Sequence, residues 1–138
     1  RGFETELQLW DELLSSGYFC FAVGGDDAHL PEHIGQAWVM VRAPRLSESA
    51  IHEALRRGDF YVSTGATIRD LRCDGQVIAI EAPGATQIRF IGREGRVLAE
   101  VFSESARYVL QGTEGYVRVE VADADGRRAW TQPLYYAL

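Results

Sequence analysis

The chain has no lysine, so all 14 of its basic residues are arginine, and 20 aspartates and glutamates leave it with a net charge of −6. A surface of that sign disfavours nucleic acid, which is bound through a basic face, and suits a cation. The deficit is uneven, with 10 acidic residues against 5 basic up to Ser63 and 10 against 9 beyond it. Histidine and cysteine are scarce, at three and two residues. Cys20 and Cys73 make neither a disulfide framework nor a C-x-x-C metal site, and Cys20 sits inside an apolar run as a small core residue would. No apolar run approaches the roughly 20 residues that span a bilayer, and the opening RGFETELQ resembles no secretion signal, so no membrane is implied and a cytoplasmic setting is expected. The only methionine is Met40, so the chain is expected to be a piece of a longer protein. A nucleophile elbow, a phosphate loop and a dinucleotide fingerprint are all missing.

What is present centres on Phe19 to His29, FCFAVGGDDAH. An apolar run rich in aromatic and β-branched residues, stopped by Gly24 and Gly25, predicts a buried strand. If the chain stays extended beyond it, residues two apart share a side, so Asp27 and His29 converge while Asp26 faces away. Carboxylate oxygen with imidazole nitrogen suits zinc, manganese or iron, and the glycines let backbone approach the ion. The same residues also read as a polar loop, with the aspartates capping a turn and His29 on the surface. His33 and Glu32 would join a site only in a helical segment, which Pro31 opposes. His52 lies beside Glu53 in a helix and reads as a solvated residue.

Around this stretch, Leu7, Leu9, Trp10, Leu13 and Leu14 recur at helical spacing, and Gly17 stands where a glycine ends a helix. Residues 36–43 (QAWVMVRA) read as a strand. Ser47 reads as the N-cap of a second helix ending at Gly58, with Leu46 stapled onto Ile51. Residues 60–63 are strand-like again, so residues 5–63 read as the tail of an α/β assembly. Beyond Gly65 helical periodicity gives way to short alternating runs. Turn pairs at Asp74-Gly75, Pro83-Gly84, Glu94-Gly95, Glu114-Gly115 and Asp125-Gly126 separate them. Runs at about 66–73, 76–82, 86–92, 96–102, 105–110, 116–122 and 128–136 predict a small β-sandwich. Its aromatics, Trp130 among them, serve as core or as a ligand platform.

GYFCFAVGGDDAH, AWVMVRA, LSESAIHEALRRGDFYVSTGATI and GYVRVEVADADGRRAWTQPLYY, in that order, resemble the C-terminal end of polymerase and histidinol phosphatase (PHP) superfamily proteins, most closely the carbaryl-hydrolase-like branch. The resemblance implies an α+β chain. Residues 1–64 would be the C-terminal strands and helices of a PHP-type (β/α)7 barrel, and 65–138 a small antiparallel β-sandwich. It further implies a multinuclear site of zinc, manganese or iron at strand ends that hydrolyses small-molecule phosphoesters or other esters. The family's last D-x-H motif maps onto Asp27 and His29. Its earlier H-x-H pair and its middle histidine and acidic ligands have no counterpart here. The chain by itself is therefore expected to be inactive, with barrel surface exposed. A contrasting expectation is a non-catalytic β-sandwich binding module attached to a degenerate barrel remnant.

Overall fold

The computed structural model describes residues 3–137. It opens with helix α1, Phe3–Ser15, at the predicted place. Gly17, at φ 90°, lets the Tyr18 N–H reach back to the Leu13 carbonyl at 2.9 Å and its own N–H to that of Leu14 at 3.2 Å. That pair of bonds closes the helix in a Schellman motif. A single 3₁₀ turn follows at Pro31–His33, then strand β1, Trp38–Val41, helix α2, Glu48–Arg57, and strand β2, Phe60–Ser63. The Ser47 side chain accepts the Ala50 N–H at 3.2 Å and Gly58 sits at φ 80°, so both ends of α2 are capped as expected. The staple is not formed, because Leu46 is 95% exposed and lies away from Ile51.

Eight strands then follow: β3 Asp70–Asp74, β4 Val77–Glu81, β5 Ala85–Gly92, β6 Arg96–Val101, β7 Ser105–Val109, β8 Tyr116–Asp123, β9 Arg128–Thr131 and β10 Tyr135–Tyr136. They fill the predicted runs, except that the last is split into β9 and β10 around Pro133, which has no N–H for a ladder. Two antiparallel sheets result, one of seven strands in the order β1-β2-β9-β8-β5-β6 with β10 also on β8, and one of three in the order β3-β4-β7. Between them lie Ile78 and Ile80 of β4, Ile88 and Phe90 of β5, Ala106 of β7 and Val117, Val119 and Val121 of β8. At about 25 cal/mol per Å² of apolar surface, this shared layer is the main favourable term holding the sheets face to face.

Two expectations are corrected. No (β/α)7 barrel remnant occurs among the described residues. β1 and β2 pair antiparallel, Trp38 opposite Ser63, and β2 continues onto β9, Tyr61 opposite Thr131. The large sheet thus crosses the boundary drawn after residue 64. A strand-helix-strand pattern suits a parallel crossover, but here α2 returns the chain beside its own starting strand. The other edge of β2 is then completed by β9, far along the chain. The second correction concerns residues 19–23, which form no strand. Phe19 and Val23 are exposed at 43% and 76%, and no strand pairs with the segment. Its substitute partner is one side chain. The Gln132 amide donates to the Ala22 carbonyl at 2.7 Å and accepts the Ala22 N–H at 2.8 Å, the two bonds a neighbouring strand would have made.

β8 is buried on both faces. Its valines enter the sandwich, while Tyr116, Arg118 and Glu120 face the side on which α1 lies. Arg118 donates to Asp11 of α1 through Nε at 3.0 Å and Nη2 at 2.8 Å, and through Nη1 to Glu120 at 2.8 Å. The Tyr116 hydroxyl donates to the same Asp11 carboxylate at 2.7 Å. Trp10 completes the seat of the helix, with the Arg118 guanidinium 5.0 Å from its ring centre and its own N–H bonded to the Cys20 carbonyl at 3.0 Å.

Candidate functional site

The Asp-x-His motif lies on the loop between the clamped segment at Ala22 and strand β1. Gly24 carries the backbone past β2 so closely that a Cβ there would stand 2.3 Å from Val62 Cγ1, so no larger residue fits at that point. Asp26 then gathers the loop. Its Oδ1 accepts the N–H groups of Gln36 and Ala37, each at 2.7 Å, and its Oδ2 accepts that of Gly35 at 2.7 Å. The bond from Ala37, with those from Gly35 and Gln36, holds the Asp26 carboxyl below its ordinary pKa, because each favours the charged form. A loop of a dozen residues is thereby cinched at its base by one carboxylate.

Asp27 comes next, at φ 49°, in the left-handed region that aspartate tolerates better than most side chains and that is over-represented at functional sites. The alternation argument for Asp27 and His29 therefore fails at its premise, since the backbone between them is not extended. The two residues are nonetheless joined, because His29 Nδ1 lies 2.7 Å from the Asp27 carbonyl oxygen. A carbonyl only accepts, so Nδ1 carries the hydrogen and Nε2 of the neutral ring carries the lone pair. A histidine that ligates a metal through Nε2 is held in this way, with Nδ1–H on a backbone carbonyl or carboxylate. Asp27 and His29 are both exposed, and no hydrogen bond occupies the Asp27 carboxylate among the described residues.

His33 is placed close by yet carries the opposite tautomer. Its Nδ1 accepts the His29 N–H at 3.2 Å, with the two rings 6.5 Å apart, so the hydrogen of the neutral ring sits on Nε2. In this arrangement His33 supports the His29 backbone and presents no second lone pair. Glu32 is exposed in the 3₁₀ turn, and its backbone carbonyl accepts from the Gln36 side chain at 3.1 Å. His52 is exposed on α2, apart from the motif. No group of three or more histidine, cysteine, aspartate or glutamate side chains suited to a metal occurs among the described residues. Asp27 and His29 are two residues of metal-binding type in one loop, joined by the contact of His29 Nδ1 with the Asp27 carbonyl.

Beside the motif is a cavity of about 690 Å³, within the usual range of small-molecule sites. It lies between α1, the Ala22–Asp27 segment, β2 and β9. Trp130 belongs to its wall, packed 5.1 Å from the Phe3 ring and 5.0 Å from the Arg128 guanidinium. The reading of the motif residues as a polar loop has the aspartates capping a turn and His29 on the surface; Asp26 does accept backbone amides, from partners 9 to 11 residues away, and His29 is exposed.

Compared with protein families, residues 20–60 match a family model described as PHP-associated. The match takes in the clamped segment, the Asp-x-His loop, β1 and α2, and covers well under half of the chain. It supports a link to PHP proteins at that level and lends nothing to the carbaryl-hydrolase-like branch. No curated protein and no solved structure gives a match. Among the described residues no helix is long and apolar enough to cross a membrane.

Proposed function

We propose that this chain is the C-terminal part of a PHP-type metal-dependent hydrolase acting on small-molecule phosphoesters or other esters, to which it contributes Asp27 and His29 as metal ligands. The observation that carries the reading is the contact of His29 Nδ1 with the Asp27 carbonyl. Nδ1–H is engaged at 2.7 Å by the Asp27 carbonyl, Nε2 is left to bind, and the pair sits in the segment that matches the PHP-associated model. Asp27 would supply a carboxylate oxygen and His29 Nε2 an imidazole nitrogen. A zinc, manganese or iron ion bound there supplies Lewis acidity and lowers the pKa of bound water toward neutrality. The work of this chain is to hold both donors in place, Asp26 by cinching the loop and His33 by accepting from the His29 backbone. The apolar side chains exposed on the same part of the chain, Tyr18 at 66%, Val23 at 76%, Ile34 at 71% and Leu46 at 95%, fit a surface that another part of a longer protein covers.

The test is bound metal and ester or phosphodiester turnover in the full-length protein, compared with Asp27→Ala and His29→Ala. Loss of stoichiometric metal and of rate is expected from either change. Unchanged metal content together with unchanged rate sinks the proposal. A second reading, an accessory β-sandwich without a role in chemistry, is favoured by one observation. The matched segment contributes β1 to the large sheet of the sandwich, where it pairs with β2. On that reading both substitutions leave metal and rate untouched.

A further inference from the structure

Each sheet ends in strands with one unpaired edge, and such an edge is a template for another strand unless charge or irregularity blunts it. β6 carries Arg96 and Glu100, β3 carries Asp70, Arg72 and Asp74, and β7 carries Arg107, whereas β1, at the end of the seven-stranded sheet, reads WVMV without a charge. Just past β1, the Arg42 N–H donates to the Asp59 carbonyl at 2.8 Å. Backbone groups alternate in direction along a strand, so Trp38 and Met40 also bond toward β2, and the N–H and carbonyl groups of Val39 and Val41 face the open edge. No hydrogen bond reaches them there among the described residues. The side chains of Trp38, Met40 and Arg42 share one face of the strand. Trp38 and Met40 are 36% and 43% exposed, Arg42 is exposed, and the Asp59 carboxylate beside it is taken by Arg57 at 3.2 Å. Trp10 and Trp130 each carry a guanidinium; among the described residues Trp38 carries none.

We propose that the open edge of β1 pairs antiparallel, about a twofold axis at Met40, with β1 of a second copy of this chain, which joins the two large sheets into one. In that register Val39 exchanges two hydrogen bonds with Val41 of the other copy, and symmetry repeats the pair, so the edge leaves none of the four groups of Val39 and Val41 unbonded. Met40 faces its own counterpart. Trp38 stands opposite Arg42 of the other copy, within reach for the guanidinium to lie over the indole. An aromatic at one end of the face and an unpaired cation at the other make the edge complementary to itself in the antiparallel sense, which is the contact of a twofold dimer. The pairing is independent of metal and of any chemistry at Asp27 and His29.

The test is sedimentation velocity of the 138-residue chain, with Cys73→Ser throughout, from about 10 μM to about 1 mM, a span that covers the dissociation constants of small interfaces. The mass is expected to climb from monomer to dimer. Val39→Pro removes an N–H that points to the open edge and none that bonds β2, so it is expected to hold the chain monomeric with an unchanged far-ultraviolet circular dichroism spectrum. Arg42→Gln is expected to weaken the dimer about fivefold to thirtyfold, since two cation–π contacts are lost at once. Met40→Cys places two thiols on the axis at a Cα separation of about 4.5 Å, inside the range a disulfide spans, and is expected to cross-link under oxidised glutathione. Trp38→Cys sets them about 14 Å apart along the strands and is expected to stay uncross-linked. A chain that is still monomeric at the highest concentration, a Val39→Pro dimer as tight as the parent's, or equal cross-linking by the two cysteine variants overturns the proposal. In the full-length protein Met40→Cys is expected to cross-link two chains. Protected Val39 and Val41 amides without a cross-link there would give the edge to a strand of the same chain and overturn the second copy as its occupant.

Discussion

Arg118→Met is the sharpest perturbation of the fold, because among the described residues Arg118 is the one side chain that joins α1 to the sheet through charge. Arg118 is 2% exposed, and its Asp11 and Glu120 partners are each about 10% exposed at the side chain. After the change Asp11 keeps only the Tyr116 hydroxyl at 2.7 Å, and Glu120 keeps the more distant Arg128 at 3.3 Å. Two carboxylates are left in a desolvated layer with too little compensation. Breaking a buried pair of this kind costs about 3–5 kcal/mol, and the methionine methylenes return only a fraction of that by packing. With a urea slope of about 2 kcal/mol per M, the unfolding midpoint should fall by roughly 1.5–2.5 M. The cost is a large share of the ~5–15 kcal/mol that holds a domain of this kind together.

Urea unfolding followed by circular dichroism measures it, and Asp11→Asn in the same background separates pairing from packing. If the network is the cause, Arg118→Met costs at least ~1 kcal/mol less when Asp11 is already asparagine, since the two residues act as one unit. A loss below ~1 kcal/mol from Arg118→Met alone, or strict additivity with Asp11→Asn, would refute the claim that this pairing anchors the helix.

Three further outcomes follow from the structure. Burial, with hydrogen bonds to Asp11 and Glu114 respectively, raises the pKa of Tyr116 and of Tyr108 to about 12. Their contribution to stability is complete below the unfolded tyrosine value of about 10 and is lost as pH climbs from there to about 12. Absorbance at 295 nm should show a late step that Tyr116→Phe diminishes, and a single step near 10 for every tyrosine of the folded chain would contradict it. The Asp26 carboxyl has a lowered pKa, so its hold on the loop is present above the unfolded carboxyl value of ~3.9 and lost as pH falls through the folded one. Protection factors of the amides of residues 35–37, taken against the intrinsic exchange rate at each pH, should therefore fall in acid for the wild type and be low at all pH in Asp26→Asn; equal protection in both would exclude the cinch. Gly58→Ala places a Cβ 2.5 Å from the Phe21 ring at φ 80° and should cost more than the ~1 kcal/mol expected for Ser47→Ala at the other end of α2. A thermal melt that ranks the two the other way would show that Phe21 yields freely.

The sequence alone determined the elements whose causes are local. α2 was legible at both ends because Ser47 and Gly58 act on amides and carbonyls three to five residues away, and α1 was legible through its leucine spacing and Gly17. The runs beyond residue 65 were legible because a period of two and a glycine at each turn are written within a few residues. Asp27 and His29 were legible as a pair of donor types in one tripeptide, although the path joining them is a carbonyl and a left-handed residue where an extended chain was expected.

Tertiary structure decided everything that needs a distant partner. Residues 19–23 have the composition of a strand, yet a strand exists only where a neighbour offers its edge, and the neighbour here is the side chain of Gln132, 110 residues away. β1 and β2 look like barrel strands until β9 takes the free edge of β2 and makes them part of the sandwich. Arg118 and Glu120 stand at alternate positions of β8, on one face of the strand. Asp11 of α1, 107 residues earlier, covers that face and turns it into a buried ion network, because burial is a property of the far element that arrives and not of the strand that waits.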